Sequence, residues 1–343
     1  MSRIFVHGAG AVSPAGWGAK VLFDAVGEKR AIPAKEMKRP GWVAPLLVRS
    51  VPALSQPPPV RSHPRLRRTS PITQYAVGAA LEALGAAAGG VREGTLRLGI
   101  VFCVMTGCVN YSRRFYDEVL NDPAMASPLV FPETVFNAPS SHLAAVLETR
   151  EMNYTLVGDP GTFLQGLALA AGWLVHEQVD GCLVIGAEEL EWLVADAYRL
   201  TAPTVVLTEG AGALYLSRQE PQGFGVELNA VTDAHSFFCE KSRAEAAEKV
   251  RSELPSADLL CDGLQGILKL DAAEEEAWAD WAGCRLSPKR ILGEGLMAAA
   301  AWQCVVAAEA LKRGLQKRAN VSVVGCNQQA IGGQLSGKSL SVL

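Results

Sequence analysis

The sequence is poor in histidine and has no excess of basic residues. Only five histidines occur among 343 residues, and 32 lysines and arginines face 35 acidic residues, which gives a net charge of −3. That balance provides no extended positive surface for nucleic acid. No apolar run reaches the roughly 18 residues of a membrane-spanning helix, and the N-terminus has no signal-peptide pattern. We therefore expect a soluble, cytoplasmic chain that binds neither nucleic acid nor a membrane.

The cysteines are scattered and form no metal-binding pattern. None of the eight belongs to a CxxC pair, and no histidine stands at ligand spacing from one. We therefore expect no metal site and no other cofactor. Several cysteines lie inside apolar runs, where cysteine packs as a small hydrophobic residue. Reduced thiols of this kind fit the cytoplasm.

Strands and helices alternate along the whole chain. Short apolar runs predict buried strands at residues 4–6, 98–102, 154–157, 181–186, 259–261 and 321–324. Helical patterns predict helices at residues 72–88, 140–148, 242–253, 272–281 and 295–313, and a further apolar helix that ends near residue 176. This alternation predicts a layered α/β fold, in which helices rich in alanine and glycine are buried between sheets.

Glycine and proline predict the connections. We expect a glycine turn at Gly8 and Gly10 after the first strand, and a strand pair within residues 205–216 around Gly210 and Gly212. Residues 30–66 are rich in proline and basic residues, and we interpret them as a long surface excursion. The length of the chain favours two domains or two fused halves of one large α/β domain.

Six segments resemble those of one known family, in the same order. They read RIFVHGAGAVSPAG, RRTSPITQYAVGAALEAL, LGIVFCVMTG, SPLVFPETVFNAPSSHLA, VDGCLVIGAEE and TEGAGALYLS. The chain resembles the β-ketoacyl synthases. That resemblance implies the thiolase fold, with two pseudo-repeated halves that we place at residues 1–217 and 218–343.

The catalytic positions of the family are where this sequence departs. In the family a nucleophilic cysteine begins the central helix, and its backbone N–H helps to hold the thioester oxyanion. Pro160 stands at that position and supplies neither group. Asp262 and Glu294 stand where the resemblance places the two catalytic histidines. Lys289 matches the active-site lysine of the family. It could be a remnant of the site, or it could form an ion pair with Glu294. We expect Asp159 to cap the helix.

The resemblance also implies partners. We expect an inactive subunit of the chain-length-factor type, which forms a heterodimer with an active ketosynthase and shapes its acyl tunnel in polyketide, polyene or fatty-acid-type biosynthesis. The candidates for the tunnel end or the interface are Tyr111, Phe115, Val135 and Phe136. Each could equally be a residue of the core. The candidates for docking an acidic acyl carrier protein are Arg61, Arg65, Arg67 and Arg68.

Two other functions stay open. The chain could be an enzyme with a relocated acid–base site, in which Asp262 and Glu294 meet near Asp159 and act on an acyl thioester. The nucleophile of such an enzyme could be Cys182, Cys261 or Cys326. Alternatively, the chain could be a homodimeric scaffold that binds an acyl carrier protein without chemistry. In that case Arg113 and Arg114 would add to the basic surface.

Overall fold

A computed structural model of the chain describes residues 3–53, 63–221 and 224–339. The strands in these ranges are β1 (Phe5–Ser13), β2 (Gly16–Trp17), β3 (Lys35–Met37), β4 (Leu46–Arg49), β5 (Leu98–Val104), β6 (Asn153–Val157), β7 (Gly181–Glu188), β8 (Leu207–Thr208), β9 (Gly210–Ser217), β10 (Phe224–Val231), β11 (His235–Ser236), β12 (Leu259–Cys261), β13 (Cys284–Leu286), β14 (Arg318–Val324) and β15 (Gln329–Ser339). Apart from the pair within residues 205–216, every strand predicted from the sequence therefore corresponds to a strand of the structure.

Helices connect most of the strands. The α-helices are α1 (Ala19–Gly27), α2 (Pro71–Leu84), α3 (Ala87–Arg92), α4 (Val109–Asn121), α5 (Ala138–Leu147), α6 (Thr162–Val175), α7 (Trp192–Thr201), α8 (Glu240–Glu253), α9 (Leu268–Ala277), α10 (Pro288–Leu292) and α11 (Met297–Lys312). The sequence pattern did not predict α1, α4, α7 or α10. None of the helices in the described ranges has the length and apolarity needed to cross a bilayer.

One large sheet contains most of the strands, in the order β13-β12-β14-β15-β10-β1-β9-β7-β5-β6. The same pairing pattern occurs on both sides of the β1–β10 junction. On one side β6, β5 and β7 are parallel, and β9 and β1 follow antiparallel. On the other side β13, β12 and β14 are parallel, and β15 and β10 follow antiparallel. The predicted α/β class is confirmed, and the boundary at residues 217 and 218 stays a prediction.

Helix α11 lies at the centre of the molecule. Every residue from Met297 to Leu311 is buried, and the helix packs against strands on both sides of the β1–β10 junction. Glycines make the close approach possible, because a Cβ atom at Gly186 would lie 2.8 Å from the Met297 carbonyl oxygen. A Cβ atom at Gly212 would lie 2.8 Å from the Ala301 Cβ. The prediction of a small-residue helix enclosed by strands is therefore confirmed.

The predicted glycine turn at the first strand is wrong. Strand β1 continues through Gly8 and Gly10 to residue 13 and pairs with β9 along this stretch. The glycines serve packing instead, because a Cβ atom at Gly8 would lie 1.9 Å from the Ala83 carbonyl oxygen of α2. At Gly10 the corresponding distance to the Ala79 carbonyl oxygen is 2.0 Å. Only glycine therefore lets α2 lie directly on the strand.

Two further connections differ from the prediction. The predicted strand pair within residues 205–216 does not form a hairpin, because β8 pairs with β4 and β9 pairs with β1 and β7. The surface excursion contains two strands, since β3 and β4 join β8 in a small three-stranded sheet. Residues 54–62 of the excursion lie outside the described residues.

Candidate functional site

The position at which the resemblance places the family nucleophile lies in a buried loop between β6 and α6. Pro160 is buried there and precedes the first helical residue, Thr162, by two positions. Its carbonyl oxygen accepts a 3.2 Å hydrogen bond from the Phe163 amide, so the loop continues directly into the helix. Proline has no backbone N–H and no nucleophilic atom. At this helix start the chain therefore offers neither a thiol nor the oxyanion donor of the nucleophile position.

The carboxylate of Asp159 binds the loop between β14 and β15. Oδ1 accepts from the Asn327 amide at 3.1 Å and from the Cys326 thiol at 3.2 Å. Oδ2 accepts from the amides of Gln328 and Gln329, each at 3.2 Å. Asp159 is almost completely buried, and these hydrogen bonds replace the ones that its carboxylate would otherwise make with water.

The prediction that Asp159 caps helix α6 is wrong. The cap residue of α6 is Gly161, and no side chain makes the capping hydrogen bond. The β14–β15 loop offers three amides to the same carboxylate, and this outweighs one capping bond. The fit is close, because a Cβ atom at Gly325 would lie 1.7 Å from Oδ2. Sequence reasoning could not find this contact, since the partners are more than 160 residues apart.

Lys289 and Glu294 form a buried ion pair. Nζ lies 2.7 Å from Oε2, and the side chains are 3% and 1% exposed. Burial alone would lower the pKa of Lys289, but the charge of Glu294 and its hydrogen bond raise it above the usual range. Glu294 also accepts from the Gln265 amide group at 2.8 Å and from the Leu296 backbone at 2.8 Å. Of the two interpretations of Lys289, the geometry is that of an ion pair.

Asp262 is also buried and has a cation as its partner. It is 0% exposed, and its carboxylate accepts from Arg285 Nε and from the Leu264 amide. Burial raises the pKa of Asp262, although the hydrogen bond from Arg285 acts in the opposite direction. At both positions where the resemblance expects a histidine, the chain therefore has a carboxylate paired with a cation.

Glu274 on α9 is a site residue that the sequence did not reveal. Oε2 accepts from the Gly263 amide at 3.1 Å, and Oε1 is buried without a partner among the described residues. Burial, reinforced by the charge of Asp262, raises the pKa of Glu274 to about 7. The acidic composition of residues 272–281 predicted a helix but gave no sign that one carboxylate points inwards.

The geometry speaks against a shared acid–base site. Asp159, Asp262 and Glu294 each have separate partners, and no hydrogen bond between described residues joins any two of them. No group of three potential ligand side chains suited to a metal ion occurs among the described residues. A carboxylate whose oxygens are already occupied by a cation or by several N–H groups is poorly placed to take a proton from a substrate.

The candidate thiols are held in their protonated form. Cys182 and Cys261 are fully buried, and burial raises the pKa of each thiol well above its usual value. Burial and the charge of Asp159 likewise raise the pKa of Cys326. A reactive cysteine needs a stabilised thiolate, so the three environments are those of structural cysteines.

A cavity of about 280 Å³ remains beside the paired residues, and we call it the central cavity. Its lining includes Met105, Tyr198, Arg243, Gln265, Leu270, Glu294, Val324 and Cys326. The Pro160 loop is linked to this lining through the hydrogen bond between Cys326 and Asp159. Sequence reasoning singled out Glu294 and Cys326 but not Arg243, which is one of several charged residues on α8.

The four tunnel or interface candidates lie on α4 and on the segment that follows it. The Tyr111 hydroxyl donates to the Arg68 carbonyl oxygen at 2.5 Å, and the Phe115 ring lies 5.3 Å from the Phe131 ring. Val135 is 40% exposed and Phe136 is 43% exposed. In the isolated chain neither of these two residues is a core residue.

Further exposed apolar residues lie on the same stretch of chain and on β6, and we call the whole set the α4–β6 surface. Its members are Tyr116, Leu120, Met125, Leu129, Phe131, Val135, Phe136, Tyr154 and Val157, all at least 40% exposed. Two of them lie on β6, which is the last strand of the large sheet. Exposed large apolar side chains and an unpaired strand edge are both typical of protein–protein interfaces.

The basic residues divide into two groups. Arg65, Arg67 and Arg68 are exposed, and none of them has an ion-pair partner among the described residues, while Arg61 lies outside those residues. Arg113 pairs with Glu191 and Asp117, and Arg114 pairs with Glu118. The second group is therefore already neutralised within the chain.

No family model matches the sequence, and no curated protein matches it. Solved structures match its fold. The ishigamide ketosynthase/chain length factor has a TM-score of 0.78 at 18% identity, with 97% of this chain and 99% of that chain covered. A ketosynthase in complex with its chain length factor from Xenorhabdus doucetiae has a TM-score of 0.78 at 16% identity, with 98% of each chain covered.

A third solved structure contains a type II polyketide synthase acyl-carrier protein in complex with its ketosynthase bound to the hexaketide. Its TM-score is 0.77 at 14% identity, and 98% of this chain and 99% of that chain are covered. The chain therefore has the thiolase-like fold of ketosynthases and chain length factors. The fold that the resemblance implied is confirmed.

Proposed function

We propose that this chain is a non-catalytic homologue of the β-ketoacyl synthases that forms a heterodimer with an active ketosynthase and shapes its acyl tunnel. The pathway would be of the polyketide, polyene or fatty-acid type. The observation that carries the proposal is the nucleophile position, where Pro160 replaces the reactive residue and Asp159 is bound to the Asn327–Gln329 amides.

The chemistry of condensation supports this proposal. A ketosynthase of the family holds an acyl group on a thiolate, stabilises an oxyanion and uses two imidazoles for decarboxylation. Here Pro160 removes the thiol and one oxyanion donor together. Glu294 and Asp262 are acceptors that are already occupied by Lys289 and Arg285. The chain thus lacks the thiol, one oxyanion donor and the two imidazoles that the reaction requires, although it keeps the surrounding fold.

The α4–β6 surface supports the heterodimer. Burying an apolar side chain such as Phe131, which is 55% exposed, gains roughly 25 cal/mol for each Å² removed from water. The free edge of β6 can also add a strand from a partner. Val135 and Phe136 lie on this surface, so a partner bound there would contact the candidates for the tunnel end.

A carrier protein is the second expected partner. Arg65, Arg67 and Arg68 are exposed and available for an acidic surface. One of the similar structures is a ketosynthase in complex with its acyl-carrier protein, which favours the same kind of partner here. All eight cysteines are free thiols, which is the usual state in the cytoplasm, where we place the complex.

Co-purification tests the heterodimer. The full chain is co-expressed with tagged candidate ketosynthases, and we expect one of them to retain it through size-exclusion chromatography. Val157→Arg places a charge on the β6 edge and should abolish this retention. Leu315→Arg is the matched control, because Leu315 is similarly exposed but follows α11. Elution of the wild-type chain apart from every candidate synthase would contradict the proposal.

The exposed arginines also allow a homodimeric scaffold for the carrier protein. A pull-down separates the two functions, since a synthase in the complex supports the heterodimer and a carrier alone supports the scaffold.

The alternative of an enzyme with a relocated site predicts turnover of an acyl-carrier thioester by the purified chain. That turnover would be lost in Asp262→Asn or Glu294→Gln.

A further inference from the structure

Arg243 contributes an unpaired cation to the central cavity. No carboxylate of the described residues lies within ion-pair distance of its guanidinium, whereas Arg251, on the same helix, pairs with Asp280. Nη2 donates a long hydrogen bond of 3.4 Å to the Leu270 carbonyl oxygen. Nε is buried and has no partner among the described residues. Buried donors of this kind are rare in folded proteins, and they call for an acceptor.

The Arg243 guanidinium is held in position. Its Cζ atom lies 5.1 Å from the centre of the Phe237 ring, which supports the planar group from one side. The planar fork of an arginine fits a carboxylate with two parallel hydrogen bonds. The Arg243 guanidinium lines the cavity with one long hydrogen bond, no carboxylate partner among the described residues and a fixed plane, and this arrangement matches an oxygen anion.

The other charges of the cavity are already compensated. The carboxylate in the lining is that of Glu294, and it pairs with buried Lys289. A single arginine fork holds one carboxylate, so the lining matches a monocarboxylate rather than a dicarboxylate. Met105, Leu270 and Val324 offer apolar surface in the same lining.

From this arrangement we propose that the central cavity binds a small organic monocarboxylate. Its oxygens accept hydrogen bonds from Arg243, and its aliphatic part lies against Met105, Leu270 and Val324. The volume of about 280 Å³ leaves room for a short acid. The inference does not depend on the heterodimer, because every group that it uses belongs to this chain.

Ligand-observed NMR with the full chain tests the proposal, with butyrate as the probe and butyramide as its neutral isostere. Wild type should bind butyrate and bind butyramide much more weakly. Arg243→Gln should weaken butyrate binding roughly ten- to hundredfold, which is the range expected for hydrogen bonds to a charged group. Arg243→Lys keeps the charge without the fork and should retain part of the affinity.

Lys249→Gln is the matched control, since it removes one positive charge from the exposed side of the same helix. It should leave butyrate binding unchanged. Thermal unfolding of each variant establishes that the fold is intact. Three results would overturn the proposal: no butyrate binding by wild type, equal binding by Arg243→Gln, or equal binding of butyramide. Displacement of butyrate by an equal concentration of inorganic phosphate would also overturn it, because the ligand class would then be phosphates.

Discussion

The ammonium group of Lys289 lies 2.7 Å from a carboxylate oxygen of Glu294, and both side chains are almost completely buried. The resemblance places an active-site lysine and a catalytic histidine at these two positions. In this chain the two side chains form an ion pair with each other, and the Gln265 side-chain amide donates a further hydrogen bond to Glu294. Groups that would otherwise act on a substrate therefore contribute to the stability of the folded chain.

The first prediction concerns this pair. Lys289→Met leaves the Glu294 carboxylate buried without its cation, and we expect the free energy of unfolding to fall by about 3–5 kcal/mol. Adding Glu294→Gln removes the uncompensated charge and should recover part of the loss. Lys20→Met is the control, because the Lys20–Asp24 pair is largely exposed and should contribute less than about 1 kcal/mol. Equal urea-unfolding curves for Lys289→Met and Lys20→Met would show that the buried pair is not important for stability.

The second prediction concerns Asp159. Asp159→Asn weakens the acceptor for three amides of the β14–β15 loop, and we expect a loss of about 1.5–3 kcal/mol in the free energy of unfolding. Hydrogen exchange measured by mass spectrometry should be faster at Asn327, Gln328 and Gln329. Asp122→Asn serves as the control, since among the described residues the exposed Asp122 carboxylate accepts a single backbone hydrogen bond, from the Ala124 amide. Unchanged exchange at residues 327–329 would refute this role of Asp159.

The third prediction concerns the lost nucleophile. Pro160→Cys returns a thiol and a backbone N–H to the start of α6, but it returns no imidazole. We expect the variant to form no condensation product with acyl and malonyl carrier thioesters, in an assay where an active ketosynthase does. Intact-protein mass spectrometry would report any acylation of the new thiol separately. Chain extension by this single variant would mean that the Asp262 and Glu294 positions are functional.

The fourth prediction is a dependence of stability on pH. Burial raises the pKa of Glu274 from its ordinary value of 4.5 to about 7, so the folded chain binds this proton more tightly than the unfolded chain. The stability that Glu274 contributes is complete below pH 4.5 and is lost as the pH rises to about 7. A shift of this size corresponds to about 3 kcal/mol.

Glu274→Gln should therefore be more stable than wild type at pH 8, and the difference should shrink towards pH 5. Urea unfolding at several pH values measures this difference in the free energy of unfolding. Glu188 keeps part of the pH dependence in both proteins, because burial raises its pKa to about 7 as well. A constant difference between the variant and wild type across this range would contradict the assignment.

The fifth prediction concerns thiol reactivity. Cys239 is exposed at the start of α8, and its hydrogen bond with the Ser242 hydroxyl lowers the pKa of the thiol. We expect iodoacetamide to modify Cys239 before exposed Cys284, and Ser242→Ala to slow the reaction. The buried thiols should react only after unfolding, as peptide mass spectrometry can show. Early labelling of Cys182 or Cys261 would contradict their burial.

The fold could be predicted because its signals are local. The alternation of buried strands and helices, together with six segments in family order, identified the α/β class and the small-residue helix α11. The function of Gly8 and Gly10 could not be read in the same way. A glycine needed for the contact of α2 with a strand has the same local signature as a glycine in a turn, and only the packing partner distinguishes them.

The candidate site could be predicted in its residues but less well in its contacts. Lys289 and Glu294 are five positions apart, so their pairing could be inferred. Asp159 was assigned to the nearest helix, whereas its partners come from residues 326–329 at the far end of the chain. Arg243 and Glu274 were missed because their sequence surroundings are those of ordinary charged helices. Their importance follows only from which side of the helix is buried.

The central position of α11 has a consequence for how the molecule unfolds. The helix is covered by strands from both sides of the β1–β10 junction, so separating the two sides would expose its whole buried surface. Its Trp302 indole also donates to the carbonyl oxygens of Val12 and Ala211, near the beginning and the middle of the chain. We therefore expect the two sides of the junction to unfold as one cooperative unit. A cleavage between them should leave two fragments, each with an incomplete core.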